Sequence, residues 1–345
     1  MERTLRINEV AFGGSGVGKA EGKVVFVPFT IDGESVHVRI TESHKSFNIG
    51  EIQSILESSP HRVIPPCPYY QVCGGCDYQH IEYAHQLELK RLQVQQVLRR
   101  IGQLKDAVVP PVVPSPKIYG FRNRITVHSD GDVIGFFQKG SRAIVDVERC
   151  ALASEPVNTK LNVIRRRGMP TGSHLTLRKD DSILTFTQTN DEVALEIVKY
   201  VRARTQGPVL VDAFCGSGFF AHQLAPGLDT VIGIEWNRTA RDLAAQSALP
   251  HEKYICGDVS AILPQLLQNH EVSTLILDPP AKGLTPEICS AIKQYPAHRI
   301  IYISCDPATF ARDLNRLRPK FDLKELQPFD MFPQTAEIEL AALLS

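Results

Sequence analysis

Residues 209–218 read Val-Leu-Val-Asp-Ala-Phe-Cys-Gly-Ser-Gly, a short apolar run that leads into a glycine turn. Such a run is typical of a buried strand, because a strand covered on both faces lacks alternation between apolar and polar residues. The glycines let the backbone approach a ligand closely, and a helical stretch follows them. This stretch predicts one unit of a doubly wound α/β sheet, with a ligand pocket beside the turn.

The rest of the C-terminal part of the chain continues this pattern. Further apolar runs, separated by helical stretches, lie at 230–235, 253–256, 273–278 and 299–304. Strands that alternate with helices predict a parallel sheet with helices on both faces. Residues 321–329 and 337–344 predict an added strand pair at the edge of this sheet.

The residues before 209 have a different pattern. Short strands and turn signals in residues 1–57 predict a small β-barrel. A helix with a basic outer face is expected over 84–101, and Asp130-Gly131 predicts a hairpin between the apolar runs 125–128 and 133–137. We therefore expect three domains, with boundaries 1–57, 58–205 and 206–345.

Composition narrows the class of protein. The chain has 345 residues, of which 43% are hydrophobic and 22% charged, and its formal net charge is zero. No apolar run approaches the ~18 residues of a membrane span, so we expect a cytoplasmic protein without a membrane partner. Its eight cysteines are then metal ligands, nucleophiles or buried residues rather than disulfides.

The zero net charge hides an asymmetry along the chain. Lys and Arg outnumber Asp and Glu in residues 61–205, whereas acidic residues dominate 206–345. The basic middle of the chain suits contact with phosphate groups, and the acidic C-terminal half suits cofactor chemistry. On charge alone, a basic surface that only faces solvent is an equally good explanation of the excess of Lys and Arg.

A glycine-rich stretch near the N-terminus imitates a phosphate-binding loop. Residues 13–19 almost satisfy the pattern, but Ala20 stands where a magnesium-binding hydroxyl is required. A strand rather than a helix follows the glycines. We therefore expect a turn of the barrel and not a nucleotide site.

Acidic residues follow three of the predicted strands, at the edge where open α/β sheets bind ligands. Glu235 ends the strand after the glycine turn, where a carboxylate can accept both hydroxyls of a ribose. Asp258 follows the next strand, and Asp278 begins an Asp-Pro-Pro stretch that is typical of methyltransferases. Ala281 follows this stretch, whereas enzymes that methylate exocyclic amines usually carry an aromatic residue there.

Cys305 ends the apolar run 299–304, just before a helix expected to begin near Pro307. A thiol at a helix amino end is expected to have a lowered pKa, although a buried structural cysteine is an equally common outcome. Carbon 5 of uracil becomes nucleophilic only after a thiolate adds to carbon 6, and a base must later remove the carbon-5 proton. Glu337 and Glu339 are candidate bases, and strand alternation predicts them on the same face.

Three cysteines lie close together in the middle of the chain, and a fourth follows the predicted hairpin. They are Cys67, Cys73, Cys76 and Cys150. This spacing indicates a metal site in a cytosolic chain. It favours zinc slightly, and it leaves a redox-active pair and a 4Fe–4S cluster open.

Together these motifs make the chain resemble the uracil-5 RNA methyltransferase family, particularly its iron–sulfur ribosomal RNA members. The resemblance implies a class I S-adenosylmethionine-dependent methyltransferase fold, a TRAM barrel over 1–57 and a central mixed α+β RNA-binding domain. It implies that the four cysteines bind a 4Fe–4S cluster instead of zinc. It also implies a monomer that forms 5-methyluridine, by preference in large-subunit (23S) ribosomal RNA, with transfer RNA as the alternative.

The resemblance also implies roles for single residues. Cys305, within Ser-Cys-Asp-Pro-Ala-Thr-Phe-Ala-Arg-Asp (304–313), matches the nucleophile, and Glu339 matches the base. Phe186, in a Phe-x-Gln-x-Asn element, would stack on the flipped uracil. From the resemblance and the strand ends together, the expected cofactor-binding residues are Gln188, Phe214, Gly216, Gly218, Glu235, Asp258 and Asp278.

Three departures from the family pattern keep a second hypothesis open. Phe219 replaces an Asn that touches the cofactor, Lys282 replaces an Arg after Asp-Pro-Pro, and Glu337 replaces a His two residues before the base. None of them removes a reacting group. The alternative is an RNA-binding protein whose catalysis is weakened or lost.

Overall fold

The computed structural model of the protein describes residues 1–180 and 188–345. These residues form two compact units. The first unit contains residues 1–93, 116–180 and 332–337, and the second contains 94–115, 188–331 and 338–345. The division into three domains at residues 57 and 205 stays a prediction.

The N-terminal strands of the first unit form a closed sheet. They are β1 (Glu2–Arg6), β2 (Glu9–Val10), β3 (Ser15–Ala20), β4 (Lys23–Pro28), β5 (Ser35–Ser43) and β6 (Phe47–Glu57). The strand order is β1-β5-β6-β4-β3-β2. Because β1 and β2 are consecutive in the chain, a sheet that begins with one and ends with the other closes on itself, and Val25, Val27 and Val38 fill its interior. The predicted barrel is confirmed, and the glycines at 13–16 lie in its β2–β3 turn and at the start of β3.

The remainder of the first unit is a four-stranded antiparallel sheet covered by a helix. Its elements are α1 (Tyr83–Arg100), β7 (Arg124–Ser129), β8 (Ile134–Phe137), β9 (Ile144–Asp146), α2 (Glu155–Arg167) and β10 (His174–Arg178). The strand order is β10-β7-β8-β9, and the predicted hairpin is β7–β8. Val127 and Leu177 of the sheet pack against Val157 and Leu161 of α2. This helix therefore covers one face of the sheet.

Helix α1, which contributes residues to both units, differs from its predicted burial at several positions, among them Ala84, which is exposed although its position belongs to the predicted apolar face. Lys90 was expected on a basic outer face, but it is fully buried and its Nζ donates to the carbonyl of Phe332 at 3.1 Å. That hydrogen bond offsets part of the cost of burying an ammonium group. Leu92 was expected on the apolar face, yet 41% of it is exposed.

The second unit has a seven-stranded sheet with helices between its strands. Its elements are α3 (Asp191–Arg204), β11 (Val209–Ala213), α4 (Phe219–Leu224), β12 (Thr230–Glu235), α5 (Arg238–Gln246), β13 (Glu252–Cys256), α6 (Val259–Asn269), β14 (Thr274–Leu277), α7 (Pro286–Gln294), β15 (Arg299–Ser304), α8 (Pro307–Leu317), β16 (Leu323–Phe329) and β17 (Glu339–Leu344). The order is β13-β12-β11-β14-β15-β17-β16, with β17 antiparallel to both neighbours and the other pairs parallel. The doubly wound sheet and its added strand pair are confirmed. Within residues 1–180 and 188–345, every helix is too short or too polar to span a bilayer.

Candidate active site

The carboxyl edge of the seven-stranded sheet brings most of the predicted site residues together. Ala213 of β11 is paired with Ile234 of β12 and with Leu277 of β14. The residues that follow these three, Phe214, Glu235 and Asp278, therefore leave the sheet side by side. The strand order reverses between β11 and β14, and ligands of doubly wound sheets bind in the crevice at such a reversal.

A small pocket of about 30 Å³ lies at this edge. It is lined by Gln188, Phe214, Cys215, Gly216, Phe219, Phe220 and Asp278. Four of these were predicted to bind a cofactor: Gln188, Phe214, Gly216 and Asp278. Phe219, the first departure from the family pattern, faces the pocket as well, with its ring edge-on to that of Phe220 at 5.0 Å.

The glycine turn holds an unusual backbone conformation. Phe214 has a φ of 74°, in the left-handed region that non-glycine residues seldom adopt. Glu235 stabilises the turn, since its Oε2 accepts from the backbone N–H of Gly216 at 3.0 Å and its Oε1 accepts from that of Asn237 at 2.7 Å. Glu235 thus braces the pocket wall, and its remaining lone pairs are available to ribose hydroxyls.

Asp258 has a different environment from the one expected. It is exposed, and its Oδ1 accepts from the backbone N–H of Ser260 at 2.7 Å, which makes it the N-cap of α6. Among the residues that the structure describes, the pocket lining does not include Asp258, Gly218 or Glu235. A cofactor-binding role for each of the seven residues named from the sequence stays a prediction.

Asp212 is a buried carboxyl group to which the sequence assigned no role. Its Oδ2 accepts from the backbone N–H of Ala221 at 3.2 Å, while its buried Oδ1 has no hydrogen-bond partner within the described part of the chain. Burial and the neighbouring Asp278 raise the pKa of Asp212 to about 8, and burial raises that of Asp278. An acidic residue inside an otherwise apolar strand was the signal in the sequence.

Cys305 and Glu339 lie next to each other across two neighbouring strands. The antiparallel register pairs Ser304 of β15 with Leu340 of β17, so the next position of the same register sets Cys305 opposite Glu339. Opposite residues of an antiparallel pair have Cβ atoms roughly 5 Å apart. Cys305 is half-buried and Glu339 is only 4% exposed.

The expectation of a lowered pKa for Cys305 was wrong. Burial and the carboxylates of Glu339 and Asp278 raise the pKa of the thiol to about 12. The amino end of α8 does not compensate, because Asp306 caps it by accepting from the backbone N–H of Thr309 at 2.7 Å. The thiol is therefore protonated in the resting protein.

The motif that contains Cys305 also fixes the loop after Asp278. Arg312 donates to the carbonyl of Lys282 at 2.7 Å. The fully buried Asp313 accepts from the backbone N–H of Leu284 at 2.6 Å and from the hydroxyl of Tyr302 at 2.9 Å. These bonds join the Asp-Pro-Pro loop to the strand and helix on either side of Cys305. Because the bond to Lys282 is made by its backbone, the replacement of Arg by Lys leaves it intact.

Glu337 and Glu339 do not share a face, contrary to the expectation. Glu337 is exposed and lies outside β17, which begins at Glu339, so strand alternation does not relate the two residues. Glu337 also belongs to the first unit and Glu339 to the second. Glu339 is the candidate base that lies beside Cys305. The predicted base-stacking residue, Phe186, lies outside the described residues.

The four cysteines predicted to bind a metal are free, half-buried thiols in the first unit. They are Cys67, Cys73, Cys76 and Cys150. Burial raises the pKa of Cys73, and the thiols of Cys150 and Cys67 add to this effect. Burial and the thiols of Cys150 and Cys73 raise the pKa of Cys76 to about 12. Within residues 1–180 and 188–345, no group of three or more His, Cys, Asp or Glu side chains is arranged to hold a metal ion.

Comparisons with known proteins agree with the fold. A family model described as tRNA (uracil-5-)-methyltransferase matches residues 262–345, which include Asp278, Cys305 and Glu339. A TRAM domain model matches residues 2–52, in the barrel.

Relatives and one solved structure match nearly the whole chain. A relative in Bdellovibrio bacteriovorus, named as an uncharacterised RNA methyltransferase, is 30% identical over 99% of this chain and 94% of its own length. The tRNA (uracil(54)-C(5))-methyltransferase of Schizosaccharomyces pombe is 27% identical over 98% of this chain and 77% of its own length. The crystal structure of Pyrococcus abyssi tRNA (uracil-54, C5)-methyltransferase in complex with S-adenosyl-L-homocysteine matches with a TM-score of 0.77, at 24% identity and 99% coverage of both chains. The protein therefore belongs to the TRAM-containing uracil-5 RNA methyltransferase family, and it is an S-adenosylmethionine-dependent RNA (uracil-5-)-methyltransferase.

Proposed function

We propose that the protein forms 5-methyluridine in RNA through a covalent bond between Cys305 and carbon 6 of the target uracil. The observation that carries this proposal is the position of Cys305 beside Glu339, at the same sheet edge as Asp278 of the pocket. The bond between Sγ and carbon 6 makes carbon 5 nucleophilic. Since the pKa of the thiol is raised to about 12, the thiol must lose its proton as it attacks. The carboxylate of Glu339 opposite it is the proposed acceptor, and it passes this proton to solvent before the later step.

Glu339 is the proposed base. After methylation, carbon 5 carries both the methyl group and its original proton, and the bond to Sγ breaks only when that proton is removed. Glu339 lies opposite Cys305, so its carboxylate is close to any ring that is bound to the sulfur. Its burial limits water around the carboxylate.

The pocket residues fit S-adenosylmethionine, which supplies the methyl group when bound. Phe214 and Phe219 offer aromatic faces to an adenine ring, and Gly216 lets the backbone approach. The buried Asp212 has an Oδ1 without a partner in the described residues, and Asp278 next to it faces the pocket. Two adjacent carboxyl groups attract a ligand that carries a positive charge.

The direct test is to incubate the purified protein with unmodified RNA and methyl-labelled S-adenosylmethionine and to analyse the nucleosides by mass spectrometry. Label in 5-methyluridine is the expected result. Label in another nucleoside, or in none across candidate RNAs, would contradict the proposal. A Cys289→Ser variant is a suitable control, because Cys289 is buried in α7 and is not part of the site.

For the RNA species, we propose large-subunit (23S) ribosomal RNA, on the basis of the resemblance to the iron–sulfur ribosomal members of the family. Transfer RNA is the second candidate. It is favoured by the relatives in Schizosaccharomyces pombe and Pyrococcus abyssi, whose names specify uracil 54 of tRNA. Parallel assays with 23S ribosomal RNA and tRNA transcripts decide between them, since only the true substrate is methylated stoichiometrically.

We also propose that Cys67, Cys73, Cys76 and Cys150 bind a 4Fe–4S cluster, as the family resemblance implies. Their thiols act electrostatically on one another, which is consistent with a shared ligand. The side chain of Gln79 hydrogen-bonds to Cys76, and the guanidinium group of Arg122 acts electrostatically on Cys73, Cys76 and Cys150. Four thiolates with polar donors around them suit an iron–sulfur cluster.

The cluster has a structural role in this proposal, and no reaction step passes through it. Anaerobic purification followed by iron and sulfide analysis tests it, with the expectation of equal amounts of iron and sulfide. Zinc without sulfide would contradict the proposed cluster and would support the zinc site that the cysteine spacing slightly favours. We further propose a cytoplasmic monomer, which is consistent with eight free cysteines and is tested by fractionation and light scattering.

A further inference from the structure

Three carboxyl groups lie close together at the carboxyl edge of the seven-stranded sheet. In the parallel register, Asp212 of β11 is level with Gly233 of β12 and with Ile276 of β14. Glu235 and Asp278 each follow two positions later on those neighbouring chains. Residues two apart in an extended chain point to the same side, so Glu235 and Asp278 flank Asp212 on one face of the sheet. Both act electrostatically on Asp212, which confirms that the groups are near one another.

The carboxyl group of Asp212 is only partly satisfied by hydrogen bonds. It is fully buried, its Oδ2 accepts from the backbone N–H of Ala221 at 3.2 Å, and its Oδ1 has no partner in the part of the chain that the structure describes. Asp278 beside it is half-buried and lines the pocket. We call Asp212 and Asp278 the carboxyl pair. Two carboxylates so placed are costly to ionise together, so the pair retains a proton unless a positive charge is near.

Four further titratable groups face the carboxyl pair, and none of the four is cationic. They are Glu235 of β12, Cys215 of the glycine turn, Tyr254 of β13 and Cys305 after β15, and each acts on one member of the pair. Burial raises the pKa of Cys215, Tyr254 and Cys305, so the two thiols and the phenol are neutral while the pair titrates. A cationic ligand in the pocket is therefore a charge that can replace the proton of the pair.

The cofactor and its product differ by one such charge. S-adenosylmethionine carries a sulfonium group, whereas S-adenosyl-L-homocysteine, which remains after methyl transfer, has a neutral sulfur. The two molecules are otherwise the same apart from the methyl group. A pocket that separates them by more than the space of a methyl group must therefore respond to this charge.

We propose that the carboxyl pair exchanges a proton for the sulfonium charge of S-adenosylmethionine. The pair releases its proton to solvent when the cofactor binds. After the methyl group has moved to carbon 5, the sulfur is neutral, and the pair takes up a proton from solvent again before the product leaves. This inference rests on the proposed cofactor pocket and deepens it, because it states how the pocket distinguishes the cofactor from its product.

The preference for S-adenosylmethionine over S-adenosyl-L-homocysteine should then rise with pH. Burial and Asp278 raise the pKa of Asp212 to about 8. Well below this range the pair holds its proton and attracts the sulfonium group only weakly, and above it the ionised pair attracts the cation and gains nothing from the neutral product. For one exchanged proton, the ratio of the two dissociation constants changes by up to about 10-fold per pH unit while the pair titrates.

The test is calorimetric titration of the full-length protein with each form of the cofactor, in phosphate and in imidazole buffer at about pH 7.0, where the pair still holds a proton. These buffers differ in their enthalpy of ionisation, so the difference in measured heat counts the protons exchanged. We expect S-adenosylmethionine to release about one proton more per site than S-adenosyl-L-homocysteine. Equal proton release would overturn the inference and leave the proposed methylation standing. A protein that binds neither form would contradict the cofactor pocket as well.

Asp212→Asn tests whether the carboxyl pair is the source of the proton. The amide has nearly the same size but cannot exchange a proton, and the loss of the neighbouring carboxyl group leaves Asp278 easier to ionise. We expect the proton release to fall by at least about half and the pH dependence of the preference to flatten to about 3-fold or less per pH unit. The titration of the ligand's own amino group is the same for both proteins, so the difference between them belongs to the pair.

The matched control is Asp229→Asn, which removes an exposed carboxyl group just before β12, at the opposite edge of the sheet. It should exchange protons as the wild type does. Wild-type proton release in a folded Asp212→Asn protein would overturn the role of the pair. If circular dichroism shows that Asp212→Asn unfolds, the proton count of the wild-type protein decides the outcome, because it needs no substitution.

Discussion

The protein places buried thiols in two regions that differ in the charge of their neighbours. In the second unit, Cys305 is surrounded by the carboxyl groups of Glu339 and Asp278, which add to the effect of burial and raise its pKa. In the first unit, burial also raises the pKa of Cys73 and Cys76, but Arg122 opposes part of that rise. Carboxylates favour the protonated thiol, whereas a guanidinium group favours the thiolate. The difference agrees with the proposed roles, a transient bond to substrate for Cys305 and lasting coordination for the thiols of the first unit.

The largest effect is expected from removal of the reactive thiol. Cys305→Ser should lower the rate of 5-methyluridine formation by about 10⁴-fold or more, because the hydroxyl is a much poorer nucleophile for carbon 6. Cys289→Ser, which changes a buried thiol of α7 that is not part of the pocket lining, should retain activity. A radiometric assay of methyl transfer measures the activity of both variants. Activity of Cys305→Ser within 10-fold of the wild type would contradict the role of Cys305 as the nucleophile.

The next largest effect concerns the partner of Cys305. Glu339→Gln should slow turnover by about 10²- to 10⁴-fold, because proton removal from carbon 5 is lost while addition and methylation remain possible. The protein should then accumulate a covalent complex with methylated RNA, visible as a shifted band on a denaturing gel. Glu337→Gln is the matched control, since Glu337 is exposed and outside β17. Equal turnover in the two variants would show that Glu339 is not the base.

A third change tests the guanidinium group in the other region. Arg122→Met keeps an unbranched apolar stem but removes the charge beside the thiolates, so we expect several-fold less iron and sulfide per chain after anaerobic purification. The exposed Arg142→Met is the control for a lost charge elsewhere in the first unit. Full occupancy in Arg122→Met would mean that the positive charge does not contribute to cluster binding.

The smallest expected effect tests directly whether Glu339 raises the pKa of Cys305. Alkylation of Cys305 by iodoacetamide, followed peptide by peptide with mass spectrometry, should accelerate as the pH rises toward the raised pKa of about 12. Glu339→Gln removes one negative neighbour and therefore lowers this pKa, so alkylation at a given pH should be several-fold faster than in the wild type. A slower or unchanged rate would mean that Glu339 does not act on the thiol.

The sequence predicted the sheet from local signals, whereas only the family resemblance singled out Glu339 as the base that works with Cys305. Apolar runs with intervening helices determine a doubly wound sheet, and the ends of its strands then determine where Asp278 and Cys305 lie. The motif at 304–313 is explained by the structure, since Asp306 caps α8 and Asp313 holds the loop after Asp278.

Other properties depend on contacts between residues that are far apart in the chain. The thiol pKa of Cys305 could not be predicted from a helix amino end alone, because its nearest charges come from β17 and from the residue after β14. The segment 332–337 gave no signal that it packs with the first unit, where the backbone N–H of Gln334 donates to the side chain of Gln86 at 3.1 Å.

The most direct test of the covalent mechanism is to react the protein with S-adenosylmethionine and RNA that contains 5-fluorouridine at the target position. Fluorine cannot leave as a proton does, so the bond between the thiol and carbon 6 persists after methyl transfer. We predict a stable protein–RNA complex in which mass spectrometry locates the modified nucleotide on Cys305. A complex attached to another residue, or release of methylated 5-fluorouridine RNA without any complex, would contradict the account.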